Sequence, residues 1–207
     1  MKGRYVQVST ATGEHFQAYL ATSIDGRGPG VVLCQEIFGV NPAMRAVADH
    51  LAEEGYSVLV PDLYWRQKPG VELGYTPEDF QQAFALYQGF DENHGVEDIA
   101  SALNHLKGLP ECSDAGLGVV GYCLGGKLAY LAACRLPQVA CAVGYYGVGI
   151  ESALHELQGL QGRLVLHFAE LDQFCPGEAR EAIIQALEGV PRTEAYVYPG
   201  VDHAFAR

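Results

Sequence analysis

Residues 118–126 read Gly-Val-Val-Gly-Tyr-Cys-Leu-Gly-Gly, GVVGYCLGG. Small and branched residues suited to a buried strand lead into a cysteine fenced by glycines. Gly121-Tyr122-Cys123-Leu124-Gly125 has the Gly-x-nucleophile-x-Gly form of a sharp strand-to-helix turn. Such a turn strains the central residue, and neighbours without side chains avoid clashes between strand and helix. The helix that follows presents free N–H groups and its positive end, which favour a thiolate at Cys123. The pattern alone equally fits a small buried residue in a crowded corner, so the rest of the chain has to decide.

Outward from this stretch, apolar runs of strand length alternate with segments of helical period. YVQVST (5–10) and FQAYLAT (16–22) alternate in polarity and predict an antiparallel opening pair. GVVLCQE (30–36) and YSVLVPDLY (56–64) read as buried strands, with a helix over 43–55 between them. A Pro- and Gly-rich loop (65–77) precedes a helix opening on Pro77, and a second amphipathic helix covers 95–109. Then come strand 116–122, helix 124–136, strand 139–146, a short helix near 151–158, strand 163–172, helix 177–188 and strand 194–200. This alternation predicts a single α/β domain over 1–207, with a mostly parallel central sheet and helices on both faces.

In such sheets chemistry gathers beyond the carboxyl ends of the strands. Four predicted ends carry polar or reactive groups: Cys34-Gln35-Glu36, Cys123, Asp172 and, after the last strand, His203. The order nucleophile, acid, histidine is that of hydrolases built on this elbow, and gaps of 49 and 31 residues leave room for the intervening elements. His203 is placed to act as general base on Cys123, and Asp172 to hold its other nitrogen. Glu170 and Asp202 are neighbouring acids; Asp172 is preferred because it lies just past the strand. His15, His50, His94, His105, His155 and His167 fall in loops, on helices or inside a strand and read as surface or packing residues.

Glu36 at the end of an apolar strand is costly unless paired. It reads either as a structural ion pair or as a carboxylate that governs the thiol proton. Backbone N–H groups at Leu124 and around Ile37 are the expected oxyanion donors.

The chain has 207 residues, 49% of them hydrophobic, with 13 basic against 25 acidic side chains and a net charge of −12. That balance argues against nucleic acid as a partner. No run of eighteen apolar residues occurs and MKGRYVQVST lacks a long apolar stretch, so neither a membrane span nor a secretion signal is expected. A cytoplasmic chain without membrane partners is the resulting expectation. Oligomeric state is not fixed by the sequence, although a monomer fits. The six cysteines show no CxxC pair and no zinc-ligand spacing. Most read as small buried hydrophobes, Cys34 and Cys175 included.

QEIFGVN, PDLYWRQ, GYCLGG, GYYGVG and DHAFAR, in that order, together resemble the dienelactone hydrolases (carboxymethylenebutenolidases), from about residue 10 to the end. The resemblance implies an α/β-hydrolase fold and a Cys123-His203-Asp172 triad that cleaves a lactone or small ester, with no metal or organic cofactor. It also implies that Glu36 is the second carboxylate. Substrate would draw Arg207 away from it, and the freed carboxylate would take the thiol proton.

Two features depart from the family pattern. Its dienelactone-specific members carry a second arginine on the helix after the YWRQ loop; by spacing that position is Phe80, and no Arg or Lys occurs from 69 to 106. The change leaves Arg207 to grip a carboxylate alone and brings a more apolar lactone or ester into consideration. The family also continues past the histidine with a helix covering the sheet, which is missing or trimmed here. Tyr145, Tyr146 and Trp65 are candidate pocket residues that equally suit packing. A catalytically silent ligand-binding or sensor protein is the alternative, and a redox or acyl-transfer thiol protein ranks below both.

Overall fold

The computed structural model describes residues 3–207. Among them the chain divides into two compact units, 3–118 and 119–207.

In the first unit, β1 (Arg4–Ser9) pairs antiparallel with β2 (His15–Ala21) in a register running from Arg4 opposite Leu20 to Ser9 opposite His15. β2 alternates exposed and buried residues at its start and becomes fully buried after Gln17. β2 continues antiparallel onto β4 (Ser57–Pro61), and β4 lies parallel to β3 (Gly28–Cys34), giving the order β1-β2-β4-β3. β4 is buried throughout and β3 nearly so, as continuous apolar runs require.

Between β3 and β4 runs α1 (Pro42–Glu53). Asn41 caps it by accepting from the Met44 N–H at 3.1 Å, and Met44, Ala48 and Ala52 bury one stripe at a spacing of four. α2 (Pro77–Gln88) starts on a capping box formed by Thr76 and Asp79, yet buries only Ala83. α3 (Glu92–Lys107) is capped by Asp91 and buries Val96, Ile99, Leu103 and Leu106 among others.

β5 (Cys112–Tyr122) carries the chain from the first unit into the second. There α4 (Leu124–Arg135), β6 (Val139–Tyr145), a 3-10 helix (Ile150–Gly159), β7 (Arg163–Ala169), α5 (Gly177–Leu187) and β8 (Thr193–Tyr198) follow. β6, β7 and β8 are parallel neighbours, with Tyr145 beside His167 and Ala169 beside Tyr198. α4 packs on β6 and is buried from Leu124 through Cys134, the behaviour of a helix apolar on all sides.

Several boundaries differ from the sequence reading for local reasons. β3 ends at Cys34 rather than residue 36: the Gln35 carboxamide accepts from the Leu63 N–H at 3.3 Å, so the chain turns out of the ladder there. β7 ends at Ala169 rather than 172, because Asp172 Oδ1 accepts from the N–H groups of Phe174 (2.8 Å) and Cys175 (3.3 Å) and folds a turn. β8 stops before Pro199 and Gly200, the latter at φ 71°. β5 begins four residues earlier than expected, and the short helix is 3-10 with a kink at Ala153.

The β5–α4 turn tolerates no side chain at its entry. A Cβ on Gly121 would lie 1.9 Å from the Gly125 carbonyl oxygen, which is backbone and cannot swing aside. Gly121→Ala is therefore expected to lower stability by roughly 3 kcal/mol, read as a fall in the denaturant midpoint. An unchanged midpoint would contradict this reading of the turn.

Candidate active site

Cys123 sits at the N-cap of α4 with φ 56° and ψ −114°. A non-glycine residue there is strained, and the surrounding backbone holds it. Its N–H donates to the Tyr145 carbonyl at 3.0 Å, and its carbonyl accepts from Gly126 (3.0 Å) and Lys127 (3.3 Å). Gly126 lets α4 approach the end of β6, since a Cβ there would meet Tyr145 O at 2.6 Å. The thiol side chain is half-buried at the head of the helix, where N–H groups and the positive end of the helix favour negative charge.

Asp172 and His203 come together within the second unit. His203 Nδ1 lies 2.8 Å from Asp172 Oδ2, with the carboxylate 1% and the imidazole 16% exposed. The other carboxylate oxygen holds the turn after β7, so the acid is fixed from both sides. The His203 ring is held edge-on by Tyr146 (4.8 Å between ring centres) and Phe174 (4.9 Å), and its backbone N–H donates to Asp202. Tyr146 follows directly on Tyr145, whose carbonyl holds Cys123, so the Cys123 backbone and the His203 ring are both braced at the end of β6.

Burial pushes the Asp172 carboxyl up. The bond to His203, the imidazole's charge and the two turn N–H groups outweigh it and leave the carboxyl below its ordinary range. A carboxylate bound at Nδ1 fixes the tautomer that turns Nε2 outward for proton transfer.

The remaining thiols separate from Cys123. Cys34 and Cys175 are buried; burial pushes Cys175 up to about 12, with Asp172 adding to it, and raises Cys34 as well. Cys112 and Cys134 are also buried, and only Cys141 is exposed. Among the described residues no group of three or more His, Cys, Asp or Glu is arranged to hold a metal.

In the first unit Glu36 follows β3 with 2% exposure, and Ile37 beside it is also buried. Phe80 is exposed on α2 and belongs to an aromatic row with Phe38 (6.4 Å) and Phe84 (6.2 Å). Trp65 is engaged in packing: it stacks on Phe16, and its indole N–H donates to Asp98 at 2.9 Å. In the second unit Tyr145 stacks between Tyr122 (4.9 Å) and His167 (4.5 Å). Arg207 is exposed near the end of the same segment as His203.

Two residues near the site, Phe174 against the imidazole and Lys127 on α4, lie outside the residues expected from the sequence. Lys127 is only 8% exposed in the first turn of α4, where its ammonium reaches Ser152 Oγ at 3.4 Å. A cation inside an otherwise apolar helix was the available signal for Lys127. Phe174 had none, because only the turn made by Asp172 brings it to the ring.

Comparison with known proteins identifies the family. Residues 16–207 match the model of the dienelactone hydrolase family. A protein of Azospirillum brasilense, described provisionally as a carboxymethylenebutenolidase, is 42% identical over 195 residues, covering 93% of this chain and 83% of that protein. The carboxymethylenebutenolidase of Pseudomonas putida is 37% identical over 205 residues, covering 98% of this chain and 85% of its own. Among solved structures, a provisionally described dienelactone hydrolase of Klebsiella pneumoniae superimposes with a TM-score of 0.82 at 28% identity, covering 98% of this chain and 88% of that one. The architecture is thus that of the α/β-hydrolases, and this chain belongs to the dienelactone hydrolase family.

Proposed function

We propose that this chain is a cysteine-dependent hydrolase of lactones or small carboxylic esters, acting as one domain through Cys123, His203 and Asp172. The observation that carries the reading is the Asp172–His203 bond at 2.8 Å, with the His203 ring packed on Tyr146, the residue after the Tyr145 carbonyl that holds the strained Cys123. Family membership, with carboxymethylenebutenolidases among the relatives, supports the ester chemistry. No described helix is long and apolar enough to cross a membrane. We place it in the cytoplasm, where thiols stay reduced.

In this mechanism the Cys123 sulfur attacks the ester carbonyl, and the oxyanion draws on the Leu124 and Ile37 N–H groups. The C–O bond breaks, the proton that Glu36 took from the thiol passes to the leaving alkoxide, and a thioester remains. His203 then takes a proton from water, which attacks the thioester; the acid is released and the thiol restored. Glu36 serves as the carboxylate that takes the thiol proton once substrate engages Arg207. Phe80, Tyr145 and Trp65 are the proposed substrate contacts, Trp65 from within its packing cluster.

Cys123→Ala is expected to lower kcat/KM for p-nitrophenyl acetate by at least about 10³-fold. His203→Ala should accumulate a thioester detectable by intact mass. Unchanged turnover in Cys123→Ala would overturn the reading.

Asp172 ties the site to pH. Its folded-state pKa is depressed, so its stabilising contribution is present above the ordinary carboxylate value near ~4 and is lost as pH falls through the lower folded value. Asp172→Asn should therefore flatten the acid limb of the stability-versus-pH curve below about pH 4. An acid limb as steep as that of the parent would contradict the assignment.

The aromatic row around Phe80 favours an apolar substrate face. Phe80→Arg is expected to shift preference toward a carboxylate-bearing lactone over its uncharged analogue by about tenfold in kcat/KM. A ratio that does not move would remove Phe80 from the substrate contacts.

A further inference from the structure

Two rings close on the His203 imidazole, and they differ in what their remaining surface meets. Tyr146 is fully buried, so it only packs. Phe174 lies 4.9 Å from the imidazole with its plane inclined by 65°, yet it is 51% exposed. Part of this ring rests on the imidazole and the rest is open to solvent. A lone exposed aromatic residue on a surface needs no explanation. This one is held by the acid and the histidine of the site.

Its position is set by backbone bonds. The Phe174 N–H donates to Asp172 Oδ1 at 2.8 Å, while Oδ2 of the same carboxylate bonds His203. Three further bonds tie this turn to the segment that carries His203. The Glu170 N–H donates to the Tyr198 carbonyl (3.0 Å), the Gly200 N–H to Glu170 Oε2 (2.7 Å) and the Leu171 N–H to the Val201 carbonyl (2.9 Å). Cys175, the next residue after Phe174, is buried and anchors the turn. All of these groups belong to the second unit. The ring is thus held beside the imidazole before any ligand arrives, and a ligand that touches it has little left to order.

The half of the substrate that meets this ring follows from the reaction, and the inference rests on the thioester mechanism proposed above. Water attacks the thioester carbonyl from the place the alkoxide vacated, and His203 takes the proton of that water. The alcohol half of the ester therefore departs on the imidazole's side, beside Phe174. The acyl half stays on the sulfur.

We propose that Phe174 is a specificity-determining residue whose exposed surface receives an aryl group on the alcohol side of the substrate. Esters of arylmethyl alcohols are then preferred over esters of small alkyl alcohols with the same acyl group. An aromatic pair gains both from the area it removes from water and from the geometry of the two rings. The ring is half-exposed, so shortening it leaves no large buried cavity and the variants fold.

The test compares kcat/KM for benzyl acetate and methyl acetate in the parent and in Phe174→Ala, Phe174→Leu and Phe174→Tyr. Both esters leave the same acetyl group on the sulfur, so a change in their ratio arises in acylation and not in hydrolysis of the thioester. The benzyl-to-methyl ratio should fall about tenfold in Phe174→Ala. It should fall several-fold in Phe174→Leu, which keeps an apolar group against the imidazole, and Phe174→Tyr should restore it. Methyl phenylacetate, with its ring on the acyl side, should keep its ratio to methyl acetate in every variant. A residue that merely braced His203 would lower all three substrates alike, and that result overturns the proposal. So does a benzyl-to-methyl ratio that neither shortened variant moves, or a fall shared by methyl phenylacetate. A parent that hydrolyses none of the three esters overturns the hydrolase reading itself, and this inference with it.

Discussion

The second unit is organised around one close approach: the start of α4 lies against the ends of β5 and β6 with almost no side-chain matter between. Gly121 accommodates the Gly125 carbonyl, and Gly126 accommodates that of Tyr145. The backbone between them has to climb from strand to helix in a single residue, and that residue takes a φ of 56°. Cysteine is a poor conformational choice for that position, and glycine would be the relaxed one. The chain accepts the strain and gains a sulfur lifted off the strand end at the head of a buried helix. The packing of α4, buried on every side, is what keeps the turn from relaxing.

Asp172 and His203, which follow β7 and β8, are held by a different device. Asp172 ends β7 by folding a turn with one oxygen and fixes His203 with the other. Tyr146 and Phe174 close on the imidazole from its edges, leaving the ring little freedom to leave its partner. Four of the other thiols, Cys34, Cys112, Cys134 and Cys175, are buried where burial disfavours the thiolate.

Most of this architecture was legible in the chain. Alternating polarity gave the β1–β2 pair, and continuous apolar runs gave the buried strands. The Gly-x-Cys-x-Gly spacing located the turn, and strand-end placement paired Asp172 with His203. What stayed hidden depended on side chains meeting at a distance in sequence. Nothing in the order of residues says that Gln35 would take the Leu63 N–H and end β3 early, or that Trp65 would pack on Phe16 and bond Asp98. The exposure of α2, despite its helical period, was likewise invisible: period shows that a helix has a face, not that anything covers it.

The double use of Asp172 has a consequence for which residues can replace it. Glutamate would keep the charge, but its extra methylene would carry the carboxylate past the two N–H groups that a side chain of aspartate length reaches at positions two and three ahead. Asparagine would keep the reach and lose the charge that orients the imidazole. Length and ionisation are therefore both needed at this position, one for the turn and the other for the ring.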